Sequence, residues 1–332
     1  MAVLKKDEFN EKIFSRIENL IIDYNLIENG DKIAIALSGG KDSVLTLHAL
    51  ANFQYNSKNN DKYNNKDNNR LNNNNINNKN IDNDNLDNKN IDKESIDFDL
   101  TAISVDEGIT GYRQHGIDSA ISNAEELGVK LVQKSFKNEL DFTLDDIYHH
   151  FKSACIPCGV FRRNILNSTA YEIGADKIAT GHNLDDEIQS FLMSFARSDT
   201  MKFSKFGPIL DTIHPKLIPR IKPLWNTPEK DVGTWAVMNN IDIHLDECPY
   251  SSLSLRGKTK EFLNKTESKY PGTKENIMES FKKTILDIKS SNTQVNECEK
   301  CGEPSSRAIC MACEMIGIIE NTQNLKTDIE NK

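Results

Sequence analysis

Lys32–Leu37 reads KIAIAL and delivers the chain directly into Ser38-Gly39-Gly40-Lys41-Asp42-Ser43. A short, unbroken apolar run of this kind suits a strand buried on both faces, the habit of parallel sheets. Glycines at the strand exit let the backbone turn sharply and aim N–H groups into a concavity. The helix expected from Asp42 to about Phe53 adds the partial positive charge of its N-terminus. An anion is welcome there: the Ser38 and Ser43 hydroxyls donate, Lys41 neutralises charge, and Asp42 can hold Mg²⁺. The spacing is neither that of a Walker A loop nor that of the G-x-G-x-x-G dinucleotide turn. An ordinary glycine-rich turn would not ask for two serines, a lysine and an aspartate at these places.

The pattern downstream alternates. Strands are expected at Leu100–Val105, Lys130–Gln133 and Asp176–Thr180. Helices are expected near Tyr112–Leu127, Glu139–Phe151, Phe161–Tyr171 and Leu184–Ala196, and again at Pro228–Asn240 and Thr273–Lys289. Residues 1–30 form an amphipathic helical segment, and the Pro-rich, basic stretch Ile213–Leu224 reads as an edge strand with connecting loops. This predicts an α/β fold with a doubly wound parallel sheet over residues 31–290, its ligands at the carboxyl ends of the strands. From about Gln54 to Asp97 the chain is mostly Asn, Asp and Lys, which depresses the hydrophobic fraction to 37%. Such a tract buries too little to offset its ordering entropy, so residues 54–97 are expected to be a disordered surface insertion. No apolar run reaches membrane-spanning length and no signal-peptide pattern opens the chain, which predicts a cytoplasmic protein without a membrane partner. A net charge of -9 argues against non-specific nucleic-acid binding as the main activity. It leaves room for a local basic groove formed by Arg162-Arg163, Lys216–Lys222 and Leu255–Lys260.

The seven cysteines of a reduced compartment point to metal or thiol chemistry rather than disulfides. Cys155-x-x-Cys158 precedes a helix, whose N-terminus is expected to lower both thiol pKa values. With the remote Cys248 they make three ligands, too few for structural zinc. They suit an iron–sulfur cluster with one iron open, or a redox pair using persulfide chemistry, unless Cys248 is simply a buried hydrophobe. Cys298, Cys301, Cys310 and Cys313 form two knuckles, the first followed by Gly302, and read as tetrahedral Zn²⁺ in a module spanning 296–320. So small a module has little apolar core, and the metal would supply its folding energy. Gly181-His182 ends the fourth strand, and Asp186 lies one turn into the next helix. An acid there either orients a substrate and takes its proton or merely complements the helix dipole.

The S-G-G-K-D-S run resembles the PP-loop of the adenine nucleotide alpha hydrolase (HUP-like) superfamily of ATP pyrophosphatases. The segment CIPCGVFRRNILNSTAYEIGADKIATGHNLDDEIQSFL, with that loop upstream and Cys248 downstream, is similar to the tRNA 2-thiouridine synthetases of the archaeal and eukaryotic cytoplasmic tRNA 2-thiolation type. The likeness covers nearly the whole chain outside the Asn-rich tract. It implies ATP and Mg²⁺ at the loop, with Ala36 and Ile103 meeting the adenosine, Gly181 and His182 completing the nucleotide site, and Arg162 facing the phosphates. It implies Asp186 as a catalytic residue, and Cys155, Cys158 and Cys248 as ligands of a 4Fe-4S cluster whose fourth iron takes sulfide. The substrate would be a tRNA uridine, adenylated on its C2 oxygen and then thiolated. Position 34 is favoured over 54, because thermophiles that thiolate 54 tend to avoid such an Asn-rich tract. The sulfur donor would be sulfide or the thiocarboxylate of a ubiquitin-like carrier, and a homodimer is the assembly in view. Relatives usually carry an N-terminal zinc ribbon as well, whereas the first cysteine here is Cys155.

Three rivals stand beside this reading. A tRNA 2-thiocytidine synthetase shares the loop and the three-cysteine logic but fits the C-terminal knuckles less well. A PP-loop ligase would amidate or condense a small molecule and keep its metal for structure. A zinc and RNA-binding module would have no activity at all.

Overall fold

A computed structural model describes residues 5–71, 96–199, 202–203, 206–210, 213–251, 255–285 and 295–330. The chain begins with α1 (Lys6–Asp23), whose Ile13, Ile17, Leu20 and Ile21 form one buried stripe at helical spacing. Then come β1 (Lys32–Ala36), α2 (Lys41–Leu71), β2 (Asp99–Asp106), α3 (Arg113–Glu126) and β3 (Lys130–Ser135). The short α4 (Phe136–Leu140) and α5 (Leu144–Ile147) lead into α6 (Cys155–Glu172), β4 (Lys177–Ala179), α7 (Leu184–Ala196) and β5 (Arg220–Ile221). Three further helices follow, α8 (Glu229–Asn239), α9 (Leu255–Lys269) and α10 (Thr273–Ile285). The hairpin β6 (Asn296–Glu297) and β7 (Pro304–Ser305) and the last helix α11 (Met311–Glu330) close the chain.

The first five strands make one parallel sheet in the order β3-β2-β1-β4-β5. Alternation along β1 sends Ile33 and Ile35 to one face and Ala34 to the other. The first face packs on α1, α2, α3, α7 and α8, and the second on α4, α5, α6 and α11. Each such fully buried isoleucine is worth about 1.5–3 kcal/mol of transfer free energy. The strand order reverses between β1 and β4, so a crevice opens where both strands end. The doubly wound parallel sheet is as expected.

Several local expectations need correction. The single helix expected near Glu139–Phe151 is three pieces: α4, α5 and a 3₁₀ turn at Tyr148–His150. Asp141 takes a left-handed φ of 65°, and Thr143 and Asp146 form a capping box that restarts the helix. Cys155 and Cys158 do not precede α6 but form its first turn. The tract expected to be disordered from residue 54 begins as helix, with α2 running to Leu71. Phe53 stacks on Phe98, Gln54 donates to the Phe98 carbonyl, and Ser57 is buried, so tertiary contacts override composition at that end. Residues 72–95 of the tract, and 286–289 of the expected C-terminal helix, lie outside the described residues.

Candidate active site

The phosphate loop is shaped by two close approaches. Gly39 has φ 82°, and a Cβ there would sit 1.9 Å from the Gly116 carbonyl oxygen of α3. At Gly181 a Cβ would lie 2.8 Å from the Ser43 nitrogen, so the end of β4 touches the first turn of α2 directly. Within the loop, Ser43 Oγ accepts from the Ser38 N–H at 3.1 Å and donates to the Gly40 carbonyl at 2.9 Å. Ser38 itself is open to solvent. Lys41 pairs with Asp42 at 2.8 Å and Glu229 at 3.0 Å. Burial pulls its pKa down, but the two carboxylates prevail and hold it above the ordinary lysine value. Burial lifts the Asp42 carboxyl, which the Lys41 ammonium and the Asn183 amide (2.8 Å) oppose. A divalent cation between Asp42 and a polyphosphate would supply what this desolvated acid lacks.

Beside the loop stand three consecutive acids with different surroundings. Asp185 is buried against Lys274 and accepts from the Glu229 N–H at 2.8 Å. Glu187 is buried against Lys222 at 2.8 Å and Trp225 Nε1 at 3.2 Å. Asp186 forms a capping box with Asn183, accepting its N–H at 3.3 Å, and meets Arg256 at 3.0 Å. Burial raises the Asp186 pKa, and Arg256 works against that rise. One carboxylate thus both caps α7 and pairs with Arg256. His182 Nδ1 lies 2.9 Å from Thr180 Oγ1. Desolvation, then the cations of Lys222, Arg256, Arg220 and Arg162, push its pKa down, while its solvent-facing edge softens the effect. A neutral imidazole surrounded by cations marks this mouth as electropositive, although the chain is acidic overall.

Two residues without an assigned role in the sequence join the loop to the thiols. Glu107, at the exit of β2, receives Arg113 at 2.9 Å on one oxygen and Arg162 at 3.1 Å on the other. Arg113 continues to the Ser38 carbonyl at 2.7 Å and to the Val105 carbonyl. The residue that reaches the phosphate loop is thus Arg113, while Arg162 ends on Glu107. Ala36 and Ile103 are register partners at the strand ends. Ile103, however, is 1% exposed within the second core and its carbonyl is taken by the Leu37 N–H. Its side chain is not available to an adenosine.

Cys155, Cys158 and Cys248 come together on the α6 side of this line. Cys158 and Cys248 pack against the same apolar cluster, and the Cys155 thiol is 4.0 Å from the Tyr250 carbonyl oxygen. The expected depression of the thiol pKa does not occur at Cys158: burial pushes it up to about 11, against the pull of Arg162. Burial raises Cys248 too. At Cys158 and Cys248 burial thus outweighs the helix-end charge, and a bound cation would favour their thiolates. The three do not close to within 4.8 Å of one another, as the four C-terminal cysteines do. Tetrahedral zinc, with Zn–S about 2.3 Å, sets sulfurs about 3.8 Å apart. A single tetrahedral ion therefore does not fit these three thiols as they stand.

The C-terminal group has the mononuclear spacing, with 3.7 Å between the Cys301 and Cys310 sulfurs. The Cys310 N–H points at Cys298 Sγ at 3.2 Å, and such N–H donors lower the Cys298 thiol to about 6. Gly302, at φ 71°, makes the knuckle turn. Contrary to expectation, the module has apolar support: Cys298, Cys313, Met315 and Ile319 share the second core with Phe161 and Ile165 of α6.

No protein-family model matches the chain. It is 31% identical to the tRNA 2-thiolation protein NcsA of Haloferax volcanii, over 96% of this chain and 94% of that protein. It is 28% identical to the tRNA-5-methyluridine(54) 2-sulfurtransferase of Pyrococcus horikoshii, over 95% of this chain and 88% of that one. Among solved structures, the U34-tRNA thiolase NcsA of Methanococcus maripaludis, which carries a 4Fe-4S cluster, superposes with a TM-score of 0.70 at 31% identity. That match covers 95% of this chain and 89% of the other.

Proposed function

This chain belongs to the tRNA 2-thiolation protein family of tRNA sulfurtransferases, and from that premise we propose that it uses ATP to thiolate C2 of uridine 34. Ser38, Gly39, Gly40, Lys41 and Ser43 bind the ATP phosphates, with Mg²⁺ at Asp42. Gly181 and His182 close the nucleotide side, and the backbone near Ala36 borders the adenosine. The uridine C2 oxygen attacks the α-phosphorus, the bond to the β-phosphate oxygen breaks, and pyrophosphate leaves on the N-terminus of α2. Adenylation turns a poor leaving group into a phosphate ester, so sulfide can add at C2 and AMP departs with the original oxygen. Asp186, held between Asn183 and Arg256, is placed at the crevice to take the uridine N3 proton.

Cys155, Cys158 and Cys248 would hold a 4Fe-4S cluster, which supplies an iron without a protein ligand as the place where sulfide waits. The cysteines at 298, 301, 310 and 313 would hold Zn²⁺. The observation that carries the reading is the continuous line Ser38–Arg113–Glu107–Arg162, which sets the phosphate loop and the thiols on one rigid frame. The exposed Arg163 of α6, with the half-buried Arg220 of β5 behind it, offers charge to the tRNA backbone.

Mass spectrometry of tRNA fragments from a strain lacking the gene tests the position. Loss of sulfur from uridine 34 is expected. Loss confined to position 54, or to thiocytidine, would replace this assignment by the corresponding rival.

A further inference from the structure

Outside the crevice, behind the phosphate loop, His115 of α3 meets His244 and Asp246 of the strap that leads to Cys248. We propose that these three side chains bind a divalent ion of the zinc, cobalt or nickel class. Their ligand atoms all lie within 4.8 Å of one another. Asp246 Oδ2 is 3.5 Å from His115 Nδ1 and 3.8 Å from His244 Nδ1. A tetrahedral ion with nitrogen and oxygen ligands at about 2.0–2.1 Å spaces them about 3.4 Å apart. The three groups therefore need only small rotations to close on an ion. Two imidazoles and one carboxylate are a donor set that borderline transition metals prefer over Mg²⁺ or Ca²⁺.

A second observation points the same way. The His244 side chain is 6% exposed, and the 3.8 Å from its Nδ1 to Asp246 is too long for a hydrogen bond. An ion on Nδ1 would replace that long contact with a bond, while Nε2 keeps its proton. His115 and Asp246 are open to solvent, so the ion has a path in.

The site is next to the chemistry without being part of it. The His244 N–H donates to the Gly39 carbonyl at 2.9 Å, and His244 bridges to Gly40. An ion there would pin the strap to α3 and so steady Cys248 against the phosphate loop. This inference stands whether or not the thiolation reading holds.

Equilibrium dialysis of the full-length protein against Co²⁺, followed by elemental analysis, tests it. The native chain is expected to hold one Co²⁺ more than either His115→Ala or Asp246→Asn, with unchanged circular dichroism and no added thiolate-to-cobalt absorption. Equal cobalt in all three proteins would overturn it. So would an extra ion in the native chain that brings a thiolate band, because it would then sit on the cysteines.

Discussion

Arg162 rests on the Glu107 carboxylate at 3.1 Å, one helical turn beyond Cys158, whose thiol feels the same guanidinium. Because the other Glu107 oxygen takes Arg113, one buried acid bridges the two halves of the site. The position of the thiols relative to the phosphate loop is thus set by charge pairing inside the fold, and not by loop length.

Replacing Glu107 by Gln should expose that dependence. The Glu107 and Arg113 side chains are 6% and 7% exposed, and removing one partner of such a pair costs about 3–5 kcal/mol. Chemical denaturation should show a loss of that order. A loss below about 1 kcal/mol, the range of surface pairs, would mean that the bridge does not organise the site.

Gly39→Ala should separate folding from catalysis. The new methyl would collide with the Gly116 carbonyl at a φ that L-residues avoid, so the loop must shift by an ångström or more. Misplacement on that scale lowers turnover by about a hundredfold. tRNA-dependent conversion of ATP to AMP and pyrophosphate is the measurement. Native-like turnover with an intact circular dichroism spectrum would remove this loop from the mechanism.

Metal removal at the knuckles should be felt in α6. The hairpin and α11 share the second core with Phe161 and Ile165, and Lys216 ties Gly302 and Glu297 to the sheet side. Cys298→Ser is expected to lower the unfolding temperature and to raise amide exchange along α6, including the turn that carries Cys155 and Cys158. Exchange confined to residues 296–320 would show that the module folds apart from the site.

Much of this was legible in the sequence because it depends on local chemistry. The apolar runs of β1 and β2, the serines and glycines at the loop, and the alternating pattern of α7 each announce themselves within a few residues. The parts that were not legible are tertiary. α9 is polar on most of its surface and is held by Leu263 against its neighbours. Nothing in the spacing of Glu107 and Arg113 shows that they join Ser38 to Arg162. The raised thiol pKa values follow from burial that only the packed chain supplies. Nothing in the basic stretch Leu255–Lys260 singles out Arg256 as the residue that meets Asp186. Ile103 differs in the opposite sense: its strand is as expected, but only the fold shows that its side chain is buried in the second core.

The most direct measurement is nucleoside mass spectrometry of unmodified tRNA incubated anaerobically with the iron- and sulfide-loaded protein, ATP, Mg²⁺ and sulfide. The native protein should yield 2-thiouridine at position 34, and Cys248→Ala should yield adenylate turnover without thiouridine. Undiminished 2-thiouridine from Cys248→Ala would contradict the proposal that three thiols beside the nucleotide crevice carry the sulfur chemistry.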